Sequence, residues 1–406
     1  MKNWKIAILA LGDILASYLS LLLMILISFG SLKGSTLLTH IGPFTLLFLV
    51  WIVVFYIFDQ YDPIKARPYI HNFKRFGYAL FTSFVFGIII FYSGIFSIAP
   101  KLNLLLVFIF FVILVFLWRK IYFKLLKNRF FEKVIFLDSN THTEELKQII
   151  KTNPQLGYKL IDSVDKADIV ISKSPFTTGK KLLSLSRAYE NITSRVAVDI
   201  AETTLPYQIE TNQDNLSAIV LKRFFDIIFS ASILTATIWI WPFVILGIKL
   251  IDNGPIFYTQ KRVGQYNKTF DFIKFRSMKV NSEKDGAVWA EKEDPRVTKF
   301  GKFLRKSHLD EIPQMLNILK GEMSIIGPRP ERPEFTINLG KEITLYNLRH
   351  IIKPGFTGWA QVKYRYARTV AESKKKFEYD LYYIKNRDFV LDLGILLKTI
   401  QIFVTH

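Results

Sequence analysis

The sequence predicts a membrane protein in three parts: a helical membrane bundle, a small α/β domain, and an α+β domain anchored by a further membrane helix. Half of the 406 residues are hydrophobic and 15% are aromatic, which is too apolar for a wholly soluble protein. Four long apolar segments fall within the first 125 residues, and short β-branched runs alternate with helical stretches further along. A polar region with Gly and Pro turns completes the chain.

The net charge of the chain limits the classes of partner that it is expected to bind. A formal net charge of +20 fits basic residues beside membrane helices, attraction to anionic lipid, or binding of ligands that carry phosphate. No zinc-finger or RNP-type motif is present in the sequence, so we expect no nucleic-acid partner. The absence of cysteine excludes disulfides, thiol catalysis and cysteine-based metal sites.

Residues 1–129 are predicted to form a four-helix membrane bundle. Each apolar segment is close to the ~20 residues that a helix needs to cross a bilayer. Lys and Arg concentrate before the first segment, in the second loop and after the fourth segment. Because short basic loops stay in the cytoplasm, both ends of the bundle are predicted to face it. The segments lie at about 6–29, 43–58, 76–98 and 102–118.

Residues 130–215 are predicted to form a small doubly wound domain of Rossmann-like type. Apolar β-branched runs at 134–137, 168–172 and 195–200 alternate with the helical stretches EELKQIIK and GKKLLSLSRAY. A dinucleotide site needs a glycine-rich turn after the first strand, but that turn reads DSNTHTEE. The domain is therefore interpreted as a degenerate Rossmann-like fold, with regulation or subunit contact as its expected role.

Residues 216–251 form another apolar segment long enough to cross the membrane. Crossing would place the rest of the chain outside, yet the flanks and the following chain are rich in Lys and Arg, which opposes translocation. Pro242 removes a backbone donor. We therefore expect a re-entrant helix that bends at Trp241 and Pro242 and returns; the alternative is a fifth span that tolerates the proline.

The start of this helix carries charge. Lys222 and Arg223 precede Asp226, whose carboxylate is costly in an apolar setting unless it is paired. Arg223 lies three residues earlier on the same helix face, so we expect these two side chains to form an ion pair.

Residues 252–406 are predicted to form a compact polar domain. An extended run, a polar turn and a second extended run open it, and the second run places Lys274 and Arg276 on one face. Two cations on one face suit a diphosphate, and a solvated strand face gives the same pattern. The stretch 295–307 and the tail 389–404 have the pattern of helices that lie in the membrane interface.

Asp310 and Glu311 form an adjacent acidic pair inside a basic stretch. Ser307 is expected to cap a helix with Pro313 in its first turn, which places the pair near a helix N-terminus. That helix is expected to lower the pKa of Asp310 and keep it ionised. An ionised carboxylate can attack a phosphoryl centre, and a carboxylate pair can hold Mg²⁺ against a diphosphate with Arg329. Simple helix capping is the other interpretation.

Several motifs occur in order through residues 220–406. They are KRFFD (222–226), GPIFYTQKRVG (254–264), FIKFRSM (272–278), the stretch 294–330, KPGFTGWAQV (353–362) and FEYDLYYIKNRDFVLD (377–392). This region resembles the bacterial sugar transferases, the monotopic polyprenyl-phosphate phosphoglycosyl transferases, and with the two preceding domains it resembles their long form. The resemblance implies transfer of a hexose-1-phosphate from a UDP-sugar to undecaprenyl phosphate, with release of UMP, to prime exopolysaccharide, O-antigen or capsule synthesis.

The resemblance also implies roles for individual residues. Asp310 would be the nucleophile that forms a covalent phosphosugar intermediate, with Glu311 in support and Mg²⁺ bound at both. For Arg365, Asp380 and Asp392 a structural ion pair is the alternative role. Substrate contacts are expected at Lys274, Arg276, Arg329, Arg365, Asp380 and Asp392, and membrane or lipid contacts at Lys222, Arg223, Asp226 and Pro242.

The same resemblance implies partners and a location. The partners would be a UDP-sugar, undecaprenyl phosphate, membrane lipid and a second copy of the chain. The location would be the bacterial inner membrane, with the catalytic domain facing the cytoplasm. In one departure from the family, Trp241 and Pro242 stand where Ser-Pro is common at the bend of the membrane helix.

Two other classes of protein remain open. A glycosyltransferase that forms a glycosidic bond directly would release UDP and often binds metal through an Asp-x-Asp triplet, which this sequence lacks. A catalytically inactive membrane scaffold would recruit partners through the α/β domain, and it would have no need of Asp310, Glu311, Lys274 and Arg329 together.

Overall fold

The chain divides into two compact units, Met1–Ile192 and Thr193–His406. The predicted boundaries at 129, 215 and 251 are finer than this division and stay predictions. The computed structural model describes residues 3–62, 73–93, 96, 101–128, 131–174, 180–201, 205, 206, 209, 216–251, 254–280, 294–364, 367 and 369–404.

The first unit begins with four apolar helices, each long and apolar enough to cross a membrane. They are α1 (Asn3–Phe29), α2 (Gly34–Ile57), α3 (Phe73–Tyr92) and α4 (Lys101–Asn128). Large aromatic side chains fill the space between the helices, and Trp51 and Phe111 are fully buried there with ring centroids 4.4 Å apart. Many outward-facing side chains are apolar and exposed, as lipid contact requires. These helices agree with the predicted membrane bundle.

A buried polar cluster crosses the bundle interior. Arg119 of α4 donates to both carboxylate oxygens of Asp13 in α1, at 2.5 Å to Oδ2 and 3.3 Å to Oδ1. The Tyr61 hydroxyl donates to the same Asp13 at 2.9 Å, and Arg119 donates to Gln60 at 3.2 Å. A paired and hydrogen-bonded charge of this kind is tolerated in an apolar interior, whereas removing one partner strands the other.

The α/β part of the first unit contains a four-stranded parallel sheet with strand order β2-β1-β3-β4. The glycine-free turn after β1 starts a helix, because the Asn140 side chain accepts from the Thr143 N–H at 2.9 Å. The elements are β1 (Glu132–Phe136), α5 (Thr141–Thr152), β2 (Tyr158–Leu160), β3 (Ile169–Ser172), β4 (Lys181–Ser184) and α6 (Leu185–Thr193).

Two predictions near the end of this domain are wrong. The stretch predicted as one helix begins with β4, which pairs with β3 at the edge of the sheet, and only then becomes α6. The predicted strand at 195–200 contains instead the short helix α7 (Val198–Ala201). Val196 and Val198 are buried with apolar residues of the second unit. The β-branched side chains of this run therefore contribute to core packing and not to strand pairing.

The segment 216–251 is helical but interrupted. The helix α8 (Leu216–Thr237) ends in a 3₁₀ turn (Ile238–Ile240), and α9 (Trp241–Ile251) follows with Pro242 as its second residue. Proline is tolerated in a first helical turn, where its missing N–H has no partner to lose. The break in the helix therefore lies immediately before Trp241 and Pro242, where the bend was predicted.

Both halves of this segment pack against the rest of the second unit. Asp226 of α8 accepts from the Ile325 N–H at 2.8 Å and from the Ser324 hydroxyl at 3.0 Å. Val244 and Ile248 of α9 are buried in a cluster with Phe275 and Leu304.

The rest of the second unit is built from short elements. An antiparallel hairpin of β5 and β6 confirms the predicted pair of extended runs, and β7 pairs with β8 in parallel. Its elements are β5 (Phe257–Val263), β6 (Thr269–Phe275), α10 (Lys299–Lys306), a 3₁₀ turn (Leu309–Glu311), α11 (Gln314–Lys320), β7 (Ser324–Ile326), α12 (Pro333–Glu342), β8 (Gly355–Thr357), α13 (Trp359–Lys363), α14 (Val370–Asn386) and α15 (Phe389–Val404).

Candidate active site

Two cations meet on one oxygen of Glu311. Lys274, near the end of β6, donates to Glu311 Oε1 at 2.7 Å. Arg329, which follows β7, donates to the same oxygen at 2.8 Å. Although burial alone would raise the pKa of Glu311, these two cations hold it well below its usual range. Glu311 is therefore a fixed carboxylate anion between two positive groups.

Asp310, its neighbour in the chain, lies in a different environment. Its side chain is buried, and among the described residues no hydrogen-bond donor contacts its carboxylate. Burial is the largest influence and raises the pKa of Asp310 to about 6; Lys274 opposes the rise and Glu311 adds to it. The predicted lowering of this pKa by a helix N-terminus is therefore wrong in direction, because loss of hydration outweighs the helix field.

The chain reaches this pair through the end of one helix and a tight turn. The Thr298 side chain caps the start of α10, and Ser307 stands at its C-terminal end, where its hydroxyl donates to the Phe303 carbonyl at 2.9 Å. The prediction that Ser307 caps the following helix is therefore wrong. His308 then adopts a left-handed conformation with φ of 56°, which turns the chain into the 3₁₀ turn that carries Asp310.

The helix after the pair is short. The helix α11 begins at Gln314 after Pro313, so the acidic pair precedes it by about one turn. Asn317 in α11 donates to the Asp271 carbonyl at 2.7 Å and accepts from the Ile273 N–H at 3.1 Å. These two bonds fix α11 to β6, the strand that carries Lys274.

Arg276 takes a different place from Lys274. It lies one residue beyond β6, and its backbone N–H donates to the Ile256 carbonyl at 2.9 Å. Its side chain is buried. The Arg276 guanidinium packs closely against Gly254, so a Cβ at that position would displace the Arg276 side chain. Arg276 is thus a buried cation and not part of a solvated strand face; its predicted substrate contact stays a prediction.

Asp380 and Asp392 both lie in ion pairs. Asp380 accepts from Arg349 at 3.1 Å, and both side chains are almost completely buried. Asp392 accepts from Lys222 at 2.5 Å and from the Tyr383 hydroxyl at 2.8 Å. These contacts agree with the structural alternative for both carboxylates, and the substrate alternative stays a prediction.

Arg223 does not pair with Asp226 as the sequence suggested. Its guanidinium donates to the carbonyls of Ile318 and Leu319, at 2.6 and 2.7 Å, in the last turn of α11. Arg223 therefore caps the C-terminal end of α11, where the Ile318 carbonyl also accepts from the Gly321 N–H at 2.9 Å. Asp226 has the backbone of Ile325 and the Ser324 hydroxyl as its partners instead, so the pairing prediction is wrong.

The contacts described above do not include two predicted features, Arg365 and a bound metal ion. Arg365 is not among the described residues, so its predicted role stays a prediction. In the part of the chain that the structure describes, no cluster of three or more His, Asp or Glu side chains could hold a metal. Asp310 and Glu311 are the acidic groups at this site, and both cations contact Oε1 of Glu311 rather than Oε2.

Sequence reasoning missed Arg349. Besides Asp380, it donates to the Arg329 carbonyl at 2.9 Å and to the Tyr346 hydroxyl at 2.6 Å. The region around it forms a 3₁₀ turn (Tyr346–His350) with no regular periodicity, so the sequence pattern gave no signal beyond the presence of one more arginine.

Comparison with known proteins identifies the second unit. The family model described as bacterial sugar transferase matches residues 217–406. The chain is 49% identical over 158 residues to the UDP-N-acetylgalactosamine-undecaprenyl-phosphate N-acetylgalactosaminephosphotransferase of Aeromonas hydrophila, covering 39% of this chain and 37% of the relative. It is 41% identical over 170 residues to the UDP-glucose:undecaprenyl-phosphate glucose-1-phosphate transferase of Xanthomonas campestris pv. campestris, covering 40% of this chain and 35% of the relative.

The chain thus spans little more than a third of the length of these two relatives. A shorter relative is matched almost entirely. The exopolysaccharide production protein PSS of Rhizobium leguminosarum bv. phaseoli is 38% identical over 188 residues, which are 45% of this chain and 94% of that protein. The residues that the family model matches include the hairpin, the acidic pair and both cations that contact Glu311. With the nearly complete match to the Rhizobium protein, the chain therefore belongs to the bacterial sugar transferase family.

Proposed function

We propose that this protein transfers a hexose-1-phosphate from a UDP-sugar to undecaprenyl phosphate and releases UMP. The observation that carries the proposal is the contrast between adjacent carboxylates: Glu311 is held by two cations, and Asp310 is buried without a described donor. The names of the Aeromonas and Xanthomonas relatives state this type of reaction for those proteins. The substrates are thus inferred from relatives, and the chemistry from the side chains.

The proposed nucleophile is Asp310. One of its carboxylate oxygens attacks the phosphorus that carries the sugar, and the bond from that phosphorus to the UMP oxygen breaks, so UMP leaves with the bonding electrons. An oxygen of undecaprenyl phosphate then attacks the same phosphorus and displaces Asp310 as a free carboxylate. The product is undecaprenyl diphosphate sugar. A carboxylate without hydrogen-bond donors retains more nucleophilic character than one that is already paired.

Lys274 and Arg329 are proposed to bind the diphosphate. Both are held near the nucleophile by Glu311, and 32% of the Arg329 side chain remains exposed and accessible to a ligand. Pre-positioned cations stabilise the charge that develops on phosphate oxygens and require little reorganisation during the reaction. Glu311 is therefore proposed to act as the support of these two cations.

A magnesium ion is proposed as the cofactor of this site. Mg²⁺ in nucleotide enzymes is commonly held by one or two carboxylates together with phosphate oxygens and water. Asp310 and Oε2 of Glu311 would hold it, and the ion would neutralise the diphosphate charge.

The membrane segment is proposed to be re-entrant, with the catalytic unit on the cytoplasmic face of the inner membrane. If its 36 residues formed one straight helix, they would extend about 54 Å. Instead, α8 packs against Ile325 through Asp226, and α9 packs against Leu304 through Ile248, around a helix break. A helix that returns would place the site at the depth of a lipid phosphate.

The proposed role in the cell is to prime exopolysaccharide, O-antigen or capsule synthesis, with the protein acting as a homodimer. The name of the Rhizobium relative assigns that protein to exopolysaccharide production. Mass photometry of nanodisc-held protein tests the dimer.

The activity is tested with nanodisc-held protein, Mg²⁺, undecaprenyl phosphate and a panel of UDP-sugars, by measuring nucleotide release and the intact protein mass. We expect UMP release with at least one sugar and a phosphosugar adduct that is absent from Asp310→Asn. Release of UDP would indicate direct glycosyl transfer instead. No nucleotide release with any donor would favour an inactive membrane scaffold.

A further inference from the structure

The backbone of residues 328–331 is fixed by hydrogen bonds from donors outside this segment. Residues 328–331 read Pro-Arg-Pro-Glu, and the two prolines have no N–H to contribute to a helix or a sheet. Nevertheless, all four consecutive carbonyls accept a hydrogen bond. The donors are the Gly355 N–H to Pro328 (2.8 Å), Arg349 to Arg329 (2.9 Å), Arg262 to Pro330 (3.2 Å) and the Val263 N–H to Glu331 (2.9 Å).

The Arg349 side chain is anchored by two contacts besides its bond to this segment. Its guanidinium donates to Tyr346 and to Asp380, and it is 3% exposed. A buried ion pair gives little net stability, because desolvation offsets most of the attraction between the charges. What Arg349 adds is orientation: its planar guanidinium is anchored by Nη1 on Tyr346 and by Nη2 on Asp380, and Nη2 also donates to the Arg329 carbonyl.

Arg262 donates to the next carbonyl, that of Pro330. It projects from β5, the partner strand of β6, and its Nη1 lies 3.9 Å from the Glu331 carboxylate. Lys376 of α14 donates to that same carboxylate at 3.0 Å. The segment is thus connected by side chains to the hairpin and to α14.

We propose that Arg349 and Arg262 are positioning residues, which fix the backbone of residues 328–331 so that the Arg329 guanidinium stays on Glu311 beside the nucleophile. This inference rests on the proposed function for its meaning. Arg329 has a long side chain with several rotatable bonds, so it can hold one place only if its backbone is fixed and its guanidinium is paired. Arg349 fixes the backbone and Glu311 pairs the guanidinium.

The first test is a double-mutant cycle of Arg329→Gln and Arg349→Gln, read as KM for the UDP-sugar. If Arg349 acts through Arg329, Arg349→Gln raises KM about tenfold and adds little when Arg329 is already glutamine. The matched control is Arg195→Gln: Arg195 is also a buried arginine, and it pairs at 3.0 Å with Glu378, two residues before Asp380 on α14. KM should be unchanged in this control.

Multiplicative effects of the two substitutions, or an equal rise in KM in the Arg195 control, would overturn the proposal. Asp380→Asn serves as the milder variant if Arg349→Gln does not fold, because it keeps an acceptor for Arg349 but removes the charge. We expect it to raise KM in the same direction and, again, only when Arg329 is present. Arg262→Gln should reproduce the same non-additive pattern.

A second readout needs no substrate. The rate at which phenylglyoxal modifies Arg329, followed by peptide mass spectrometry, reports how firmly its guanidinium is held. We expect several-fold faster modification in Arg349→Gln than in the wild type or in Arg195→Gln. Equal rates in all three proteins overturn the positioning role. If the wild type releases no UMP, the proposed function fails, whereas the modification rates still decide whether Arg349 holds Arg329.

Discussion

Asp310 and Glu311 are adjacent in the chain, yet burial raises the pKa of Asp310 to about 6 while Lys274 and Arg329 hold that of Glu311 well below its usual range. The same two cations thus neutralise one carboxylate and leave the other without a hydrogen bond among the described residues. An acidic pair arranged in this way can divide its tasks, with one member as support and the other as the reacting group.

The first prediction concerns pH. Because a nucleophilic Asp310 must be ionised, turnover should rise between pH 5 and pH 7 with a midpoint near 6, and level off above it. Lys274 opposes the rise in this pKa, so Lys274→Met should move the midpoint to higher pH. Initial rates of UMP release in buffers of constant ionic strength measure this shift.

Lys261→Met is the control for the pH experiment. Lys261 lies on the same hairpin and pairs with Asp271 at 3.0 Å, but both side chains are more than half exposed. Its removal should leave the midpoint unchanged. A rate that does not vary from pH 5 to pH 7 in the wild type would contradict the assignment of Asp310.

The second prediction separates the two carboxylates. Asp310→Asn should lower turnover by roughly 10³–10⁴-fold and abolish the phosphosugar adduct, because no other nucleophile replaces it. Glu311→Gln should still form some adduct, but with a raised KM, since Lys274 and Arg329 lose the anion that holds them. Intact-mass spectra and steady-state rates test both variants. An adduct of normal yield in Asp310→Asn would show that another residue is the nucleophile.

The third prediction concerns Arg223. Arg223→Ala removes the guanidinium that donates to the carbonyls of Ile318 and Leu319 at the end of α11. The Ile318 carbonyl keeps the Gly321 N–H, but the Leu319 carbonyl loses its donor among the described residues, which should lower the free energy of unfolding by about 1–3 kcal/mol. Thr298→Ala, which removes the cap of α10, provides a control of similar destabilisation. If Arg223 also contacts the lipid phosphate, KM for undecaprenyl phosphate rises in Arg223→Ala but not in Thr298→Ala. Equal KM values in the two variants argue against a lipid contact.

The fourth prediction concerns the buried carboxylate of α8. Asp226→Ala leaves the Ile325 N–H and the Ser324 hydroxyl without their acceptor, at a cost of about 2–3 kcal/mol. Ser324→Ala should cost less, because the Ile325 bond remains. Thermal unfolding in detergent ranks the two variants, and the reverse order would exclude Asp226 as the main acceptor at this contact.

The fifth prediction is a loss of stability in acid. Burial alone would raise the pKa of Glu331, but Lys376, Arg349 and Arg262 outweigh it and lower the pKa to about 2. Because the folded pKa is below that of the unfolded chain, this stabilisation is complete above about pH 5 and is lost as the pH falls toward 2. Glu331→Gln should therefore melt lower than the wild type at pH 7, and the difference in Tm should shrink at pH 4. A constant difference would contradict a stabilising role for the ionised carboxylate.

Much of the site could be predicted from the sequence. Alternation along a strand placed Lys274 on the hairpin, and the motif match pointed to Arg329 and the acidic pair. The sequence could not predict that both cations would contact Glu311 and leave Asp310 without a partner, because that choice depends on how β6, the 3₁₀ turn and the chain after β7 pack together. Desolvation of Asp310 has the same origin, so the direction of its pKa shift was predicted wrongly.

The errors in the fold arise from tertiary contacts as well. Lys181–Ser184 forms a strand because the edge of β3 is available, and not because of its own pattern. Arg223 was close enough in sequence to pair with Asp226, but the carbonyls at the end of α11 and the backbone of Ile325 are better partners for each. Short-range rules cannot weigh partners about a hundred residues away.

The ion pair between Asp13 and Arg119 has a consequence for how the chain is made. The two residues are separated by 106 positions, so Asp13 is synthesised on the order of 5–20 s before its partner. During that interval the carboxylate has to remain hydrated or be bound by the insertion machinery. A ribosome that stops before Arg119 leaves an unneutralised acid in the first helix. An unfinished bundle is therefore chemically distinct from a finished one, because only the finished bundle neutralises Asp13.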